Sequence, residues 1–123
     1  MQIFFGACHN KILMMISIEK FNKIDLRVGT IEQAEEFPDA KQPAYKLYIN
    51  FGEFGYKWSS AQITKNYSIE DLSGKQIIAA MNLGNKKIGS FVSEILVIGV
   101  DDNSSNVVLL EPITKIENGA KVN

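Results

Sequence analysis

The sequence is short of the residues on which most enzymes depend. It contains one cysteine, one histidine and three prolines among 123 residues. The single cysteine, Cys8, excludes an intramolecular disulfide and a cysteine zinc site, and it fits a reducing compartment such as the cytoplasm. A serine or cysteine nucleophile would have to use His9 as its base, and no glycine-rich phosphate loop or metal-ligand spacing is present. We therefore expect no enzymatic activity and no metal.

The chain also lacks an excess of charge of either sign. Its net charge is −1 and its hydrophobic fraction is 46%, which are values of an ordinary globular domain. Any affinity for nucleic acid or an anionic membrane must therefore come from a local patch.

Long hydrophobic runs are absent as well. The segment 1–15 is apolar, but polar residues interrupt it at positions 9–11. No run approaches the roughly 20 residues of a spanning helix, and no basic region precedes an apolar core, so we expect neither membrane insertion nor a secretory signal. Segment 1–15 is interpreted either as an extension ahead of a natural start at Met14 or Met15, or as an arm that packs on a partner subunit. Residues 16–123 are predicted to form one domain.

What the chain does contain is a series of short segments rich in β-branched and aromatic residues. The predicted strands are Ile24–Ala34, Ala44–Phe51, Tyr56–Ala61, Gln76–Met81, Ile95–Val100 and Val107–Leu110. Short helices are predicted at Ser17–Phe21 and after Ser68, and Gly29 is predicted to mark a bulge or sharp bend. A helix between the third and fourth strands of an all-β chain predicts a five-stranded Greek-key OB-fold barrel.

The second and third strands of such a barrel usually carry the ligand face. In Ala44–Phe51 the alternation places Lys46 and Tyr48 outside. The third strand would add Lys57 and either Trp58 or Ser59.

A polar, basic loop, residues 82–94, lies between two buried strands and is predicted to be the main functional element. The candidate binding residues on this loop and the two strands are Lys46, Tyr48, Lys57, Trp58, Ser59, Ser60, Asn82, Lys86, Lys87, Phe91 and Ser93. Gly84, Gly89 and Glu94 are expected to shape the loop.

Most of these residues allow two interpretations. Lys86 and Lys87 would grip phosphates together or would simply be solvated. Tyr48 and Trp58 would stack on a ligand or pack in the core. Asn82 would contact a ligand or tie its own turn. For Arg27, a pair with Asp25 is favoured over contact with RNA. Glu94 is favoured as an acceptor for loop backbone amides.

Three segments in order, Asp25–Ile31, Ser59–Lys65 and Asn82–Glu94, resemble the tRNA-binding OB-fold family. That family includes the C-terminal appendage of bacterial methionyl-tRNA synthetases and the EMAP II-like cytokine precursors. The run Ser59-Ser60-Ala61-Gln62-Ile63-Thr64 indicates the stand-alone branch, the CsaA secretion chaperones. The resemblance covers about Ile18–Val122. It implies a homodimer without catalysis or cofactor that binds unfolded or export-bound polypeptides, on a scaffold whose relatives bind tRNA.

The chain departs from the synthetase-type pattern Asn-Leu-Lys-Pro-Arg-Lys, because Gly84 and Asn85 replace the first lysine and the proline. Fewer cations weaken a tRNA hypothesis, although four lysines of the candidate set remain. The first hypothesis is therefore a dimeric polypeptide-binding chaperone with an apolar groove, for which the candidate aromatics are Phe21, Phe37, Tyr45, Phe54 and Phe91. The second is a tRNA binder with a contiguous basic strip. A third is a scaffold that docks onto another protein.

Overall fold

Nine short strands and two single-turn helices make up most of the regular structure in this computed structural model, which describes residues 13–123. The strands are β1 (Leu26–Glu36), β2 (Tyr45–Asn50), β3 (Tyr56–Ala61), β4 (Gln76–Ala80), β5 (Lys86–Ile88), β6 (Phe91–Ser93), β7 (Leu96–Val97), β8 (Gly99–Asp101) and β9 (Val107–Leu109). The helices are α1 (Ile18–Phe21) and α2 (Ile69–Leu72). Cys8, His9 and most of the predicted extension 1–15 lie outside the described residues.

The longest strand, β1, pairs antiparallel with two neighbours. Its first half pairs with β4 and its second half with β2, and the main sheet has the order β3-β2-β1-β4-β7. The two sheet edges approach each other where the Glu94 N–H donates to the Trp58 carbonyl at 2.8 Å. The sheet is thus a nearly closed five-stranded barrel with α2 between β3 and β4. The predicted all-β OB-fold is confirmed.

Both predicted helices form at their capping serines. The Lys20 N–H donates to the Ser17 hydroxyl at 3.1 Å. The Ser68 hydroxyl donates to the Asp71 carboxylate at 2.8 Å, and this bond lowers the pKa of Asp71. No helix of residues 13–123 is both long and apolar enough to cross a membrane.

Two separate features shape β1, namely Gly29 and a bulge at Glu32. At Gly29 the strand keeps its register with β4, and a side chain there would lie 2.6 Å from a ring carbon of Phe51. The bulge lies three residues later, because Ile31 and Gln33 are opposite consecutive residues of β2 and Glu32 has no partner between them. Gly29 therefore makes room for the core, and the predicted location of the bulge is wrong.

The core fills the barrel with residues from the inner sides of the strands. In β2 the alternation is as predicted, with positions 45, 47 and 49 buried and positions 46, 48 and 50 partly exposed. The largest fully buried side chains are Phe51, Ile31, Leu47, Ile49, Leu72 and Ile77. Tyr45 is buried among them and its hydroxyl donates to the Tyr67 carbonyl at 2.8 Å. Burial raises the pKa of the Tyr45 phenol, with nearby carboxylates adding to the effect.

Two predicted elements differ from the observed ones. Residues 82–94 are not an open loop, because β5 and β6 form a hairpin within them. Ile95–Val100 is not one strand, because Leu96–Val97 pairs with β4 and Gly99–Asp101 turns away to pair with β9. Two hairpins therefore flank the barrel, β5–β6 and β8–β9.

The C-terminal segment, residues 116–122, extends the edge of β1 beyond β2. Backbone bonds connect Val28 with Gly119 and Ala120, at 2.8 and 3.0 Å. The Gln76 side chain accepts from the Ile116 N–H at 2.8 Å and donates to its carbonyl at 2.6 Å. The Gln76 side-chain amide thus takes the place of a backbone hydrogen-bonding partner for Ile116. The sequence did not indicate this contact.

Candidate binding surface

The register of β2 and β3 decides which candidate residues share the outer face. Trp58 is opposite Tyr48, and Ser60 is opposite Lys46. Directly opposed residues of an antiparallel pair lie on the same side of the sheet. Trp58 and Ser60 therefore join Tyr48 and Lys46 outside the barrel, which answers the question that the sequence left open for Trp58.

The same register removes two predicted residues from that face. Lys57 is opposite Ile49 and Ser59 is opposite Leu47, so both lie on the inner side of the ribbon. Ser59 is fully buried, and its hydroxyl donates to the carbonyl oxygens of Ser60 and Ile95. The assignment of Lys57 and Ser59 to the outer face is wrong for this reason.

Five aromatic rings form a continuous line on the outer face, which we call the aromatic stripe. Its members, in spatial order, are Tyr56, Tyr48, Trp58, Phe91 and Phe37. The successive ring centroids are 5.0, 4.7, 6.0 and 5.2 Å apart. Such spacings are those of favourable stacked and edge-to-face pairs. The stripe begins at the half-exposed Tyr56 and ends at the buried Phe37.

One lysine lies within the stripe. The Lys46 ammonium is 4.9 Å from the centre of the Phe37 ring and 5.3 Å from that of Phe91. Beside it is a shallow groove of about 410 Å³, lined by Glu35, Lys46, Trp58, Ser90, Phe91, Val92 and Glu94. Because two carboxylates flank the one ammonium, this groove is not a cationic surface.

Hairpin β5–β6 separates the two loop lysines. Its strands are joined by Gly89 and Ser90, and the φ of 62° at Gly89 is the positive value that a tight hairpin turn requires. Lys86 is opposite Ser93, which is buried, and Lys87 is opposite Val92, which is exposed. The two ammonium groups therefore belong to opposite faces of the hairpin. Any contact of Lys86 and Lys87 with phosphates would therefore be made from two faces and not from one.

Hydrogen bonds attach this hairpin to the free edge of β3. Glu94 accepts from the Trp58 N–H at 2.8 Å through its side chain, and the Ser93 hydroxyl accepts from the Ser60 N–H at 3.1 Å. Glu94 was expected to hold loop amides and instead holds an amide of β3. Ser93 is 3% exposed. Its hydroxyl satisfies an edge amide, and its contact with a ligand stays a prediction.

Arg27 forms the predicted pair with Asp25, whereas Asn82 bonds the segment before β1 rather than its own turn. Asn82 accepts from the Asp25 N–H at 2.8 Å and donates to the Lys23 carbonyl at 2.7 Å. Arg27 lies 3.0 Å from a carboxylate oxygen of Asp25, and its guanidinium stacks 4.0 Å from the centre of the Phe54 ring. These contacts tie the end of β4 to the start of β1. Gly84 shapes the turn after Asn82 with a φ of 88°.

A second concave feature, which we call the edge cleft, lies where β3 ends beside β5. It has a volume of about 100 Å³ and is lined by Ser60, Ala61, Gln62, Ile63, Lys86, Ile88, Leu96, Val97, Val107 and Leu109. Its rim is polar and its floor is aliphatic. Within residues 13–123 there is no group of acidic, histidine or cysteine side chains that could hold a metal ion.

Sequence reasoning missed two members of the stripe and included residues that do not belong to it. Tyr56 could have been found, because it is two positions before Trp58 and alternation places both on one face. Phe37 was named only as a possible groove residue, and its contact with Phe91 joins positions 54 apart in the chain. Tyr45, named with it, is buried in the core, and Phe54 packs on Arg27.

Comparison with known proteins shows where the chain fits. A family model described as a putative tRNA binding domain matches residues 26–121. Among curated proteins, the methionine–tRNA ligase of Methanocaldococcus jannaschii is 36% identical over 107 residues, and that of Pyrococcus horikoshii is 35% identical over 114 residues. These matches span 87% and 91% of this chain but only 16% and 15% of the two ligases.

Two solved structures match over their whole length. The chaperone CsaA from Bacillus anthracis is 48% identical, with a TM-score of 0.85, and covers 89% of this chain and 100% of its own. The CsaA chaperone protein from Picrophilus torridus is 47% identical with a TM-score of 0.83 and the same coverage. A methionyl-tRNA-synthetase-related protein from Pyrococcus horikoshii is 25% identical with a TM-score of 0.79, covering 89% of this chain and 99% of its own.

Proposed function

This chain belongs to the tRNA-binding domain family and to its CsaA-type branch, and on that basis we propose that it is a non-catalytic protein that binds unfolded or export-bound polypeptides on the aromatic stripe. The stripe is the observation that carries the proposal. Rings stacked on one another present a rigid apolar surface, and apolar side chains of an unfolded chain gain free energy by covering it.

The distribution of lysines supports polypeptide over nucleic acid. A tRNA site needs several cations on one surface, since affinity for a phosphate backbone grows with each ion pair formed. Here Lys46 lies over aromatic rings between two carboxylates, and Lys57 belongs to the inner side of β3. Lys86 and Lys87 are on opposite faces of their hairpin. No contiguous strip arises from these four lysines.

The proposal includes a homodimer. The outer faces of β8 and β9 present the cross-strand pair Val100 and Val108, which are 53% and 38% exposed, followed by the exposed Leu110. The segment Leu13–Ile16 is also apolar and exposed, and α1 buries no residue. Globular monomers rarely leave such apolar surfaces in water, and a second copy would cover them symmetrically. The proposed location, by likeness to the CsaA branch, is the cytoplasm.

Binding of tRNA is the second candidate. It is favoured by the description of the family model and by the half-exposed ring of Tyr56, on which an unstacked base would fit. Binding of tRNA requires that Lys46, Lys86 and Lys87 each contact the phosphate backbone from a different surface.

The single tryptophan makes the test direct, because Trp58 lies in the middle of the stripe. Titration with a permanently unfolded polypeptide and with tRNA, each at low and high salt, would be followed by Trp58 fluorescence. We expect the polypeptide to change the emission with a weak salt dependence. A change caused only by tRNA, with an affinity that falls steeply with salt, would favour the second candidate.

A matched pair of substitutions ties the signal to the stripe. Tyr56→Ala removes a terminal ring of the stripe and should weaken polypeptide binding about fivefold to tenfold, the weight of one aromatic contact. Leu83→Ala is the control, because Leu83 is 47% exposed and Tyr56 is 48% exposed, and Leu83 lies outside the stripe. Equal effects of the two substitutions would contradict the assignment.

A further inference from the structure

We propose that the edge cleft is a second subsite of the same surface and accepts an aliphatic carboxylate, either an acidic side chain or the C-terminal carboxylate of the bound polypeptide. That the ligand belongs to a polypeptide rests on the proposed function. The preference for a carboxylate follows from the residues that line the cleft.

The donors at the rim of the cleft are the first argument. Ser60, Gln62 and Lys86 line it together, and each can donate a hydrogen bond. Lys86 forms no ion pair with any carboxylate of residues 13–123. Three residues with donor groups, one of them cationic, line a space to which residues 13–123 contribute no acidic side chain, and such a donor set suits a carboxylate.

The floor of the cleft defines the rest of the ligand. Ile63, Val97, Val107 and Leu109 are buried there. The cleft has a volume of about 100 Å³, which accommodates a carboxylate with one or two methylene groups. Aliphatic walls also strengthen the attraction between an ammonium and a carboxylate by lowering the local dielectric constant.

The position of the cleft connects it to the stripe. Ser60 lies on the outer face of β3 two residues after Trp58, a distance of about 7 Å along a strand. Lys86 and Phe91 belong to the same face of hairpin β5–β6, because Lys86 is opposite Ser93 and Ile88 is opposite Phe91. In an extended polypeptide, a residue that covers Trp58 would therefore place the residue two positions further along the polypeptide at the cleft.

A phosphodiester fits this site poorly. Among residues 13–123, Lys86 is the only cation that lines it, and an aliphatic floor offers no hydrogen-bond donor to the outer oxygens of a phosphate. One ammonium beside an apolar cavity favours the smaller and less charged carboxylate.

The test compares three peptides that share one aromatic-aliphatic sequence, again by Trp58 fluorescence. One peptide has a free C-terminus, one is amidated, and one is amidated with a glutamate two residues after its aromatic residue. We expect at least one carboxylate form to bind about tenfold more tightly than the plain amide, as one charge-assisted hydrogen bond would give. The carboxylate form that binds more tightly than the plain amide shows whether the C-terminus or an acidic side chain is the ligand.

Two lysine variants decide whether the cleft is responsible. Lys86→Gln should abolish the preference, so that the three peptides bind this variant with similar affinities. Lys87→Gln should keep the preference, because Lys87 lies on the other face of the hairpin. Equal binding of all three peptides to the unchanged protein would overturn the inference, and so would an equal loss in both variants.

Acetate separates this inference from the proposed function. Added alone and followed by NMR, it should shift the amide signals of Ser60 and Gln62 in the unchanged protein and not in the Lys86→Gln variant. If acetate does so while no polypeptide binds, the cleft assignment stands and the proposed function fails. If polypeptides bind and acetate shifts neither amide, the cleft assignment fails alone.

Discussion

The hairpins β5–β6 and β8–β9 have strands of the same length and expose different side chains. Each consists of two three-residue strands that leave the barrel and return to it. The first is attached by Phe91 and Glu94 and carries exposed lysines. The second exposes the apolar pair Val100 and Val108. The two hairpins thus differ in the side chains that they expose, lysines on one and the valine pair on the other, and we propose that the first faces a ligand and the second faces a second copy.

The strongest test of this comparison introduces charge on the apolar hairpin. The double substitution Val100→Glu and Val108→Glu should convert a dimer into a monomer. Four like charges would meet across a symmetric interface, and we expect association to weaken by at least about 100-fold, because such contacts cost several kcal/mol. Light scattering at micromolar concentration measures the change.

The control is the matched residue of the other hairpin. Val92 is 40% exposed and Val108 is 38% exposed, so Val92→Glu adds a similar charge at a similar position. It should leave the molar mass unchanged. Dissociation by Val92→Glu, or a dimer that survives the double substitution, would reverse the roles of the two hairpins.

A smaller effect is expected where hairpin β5–β6 joins the barrel. Glu94→Gln keeps an acceptor for the Trp58 N–H but removes the charge, and we expect the free energy of unfolding to fall by about 1 kcal/mol. Denaturation in urea measures this loss, and hydrogen exchange at the Trp58 amide should become faster.

Another Glu→Gln substitution provides the reference. Glu111 forms an ion pair with Lys75 at 3.1 Å, and its side chain is 46% exposed. Because solvent screens exposed ion pairs, Glu111→Gln should change the free energy of unfolding by less than about 0.5 kcal/mol. Losses of the same size in both variants would mean that Glu94 contributes no more than an ordinary surface pair.

The smallest effect concerns the turn of hairpin β8–β9. Asp102 accepts from the N–H groups of Asn106 and Ser104 and from the Asn66 side chain. These bonds, the one from Asn106 most of all, lower the pKa of Asp102. A carboxyl whose pKa is lower in the folded state stabilises the fold above its unfolded pKa, and this contribution is lost as the pH falls through the folded value.

Stability should therefore decrease below about pH 4, the usual pKa of an aspartate, and the Asp102→Asn variant should show a smaller decrease. Urea unfolding at pH 5 and pH 3 tests this. Asp101→Asn is the control, because the Asp101 side chain makes no hydrogen bond within residues 13–123. An identical pH dependence of the two variants would show that the Asp102 contacts do not persist in solution.

Much of the fold could be predicted because its signals are local. Ser17 and Ser68 cap the helices where expected, and the alternation of Ala44–Phe51 gives the correct inner and outer residues. Residues 82–94 were misread as a loop, because a hairpin with three-residue strands leaves little alternation to detect. Its signal was the pair Gly89-Ser90 between Ile88 and Phe91, which is typical of a tight turn.

The sequence by itself determined the first four strands, the capped helices and the family to which the chain belongs, since each follows from neighbours in the chain or from motifs. Only the tertiary structure decided that Trp58 lies on the outer face of the barrel and Lys57 on the inner side. It also decided that Lys86 and Lys87 lie on opposite faces of their hairpin and that Phe37 contacts Phe91. The physical reason is that strand register and barrel closure are non-local. A shift of one residue exchanges the two faces of a strand, and no pattern within β3 alone specifies its register against β2.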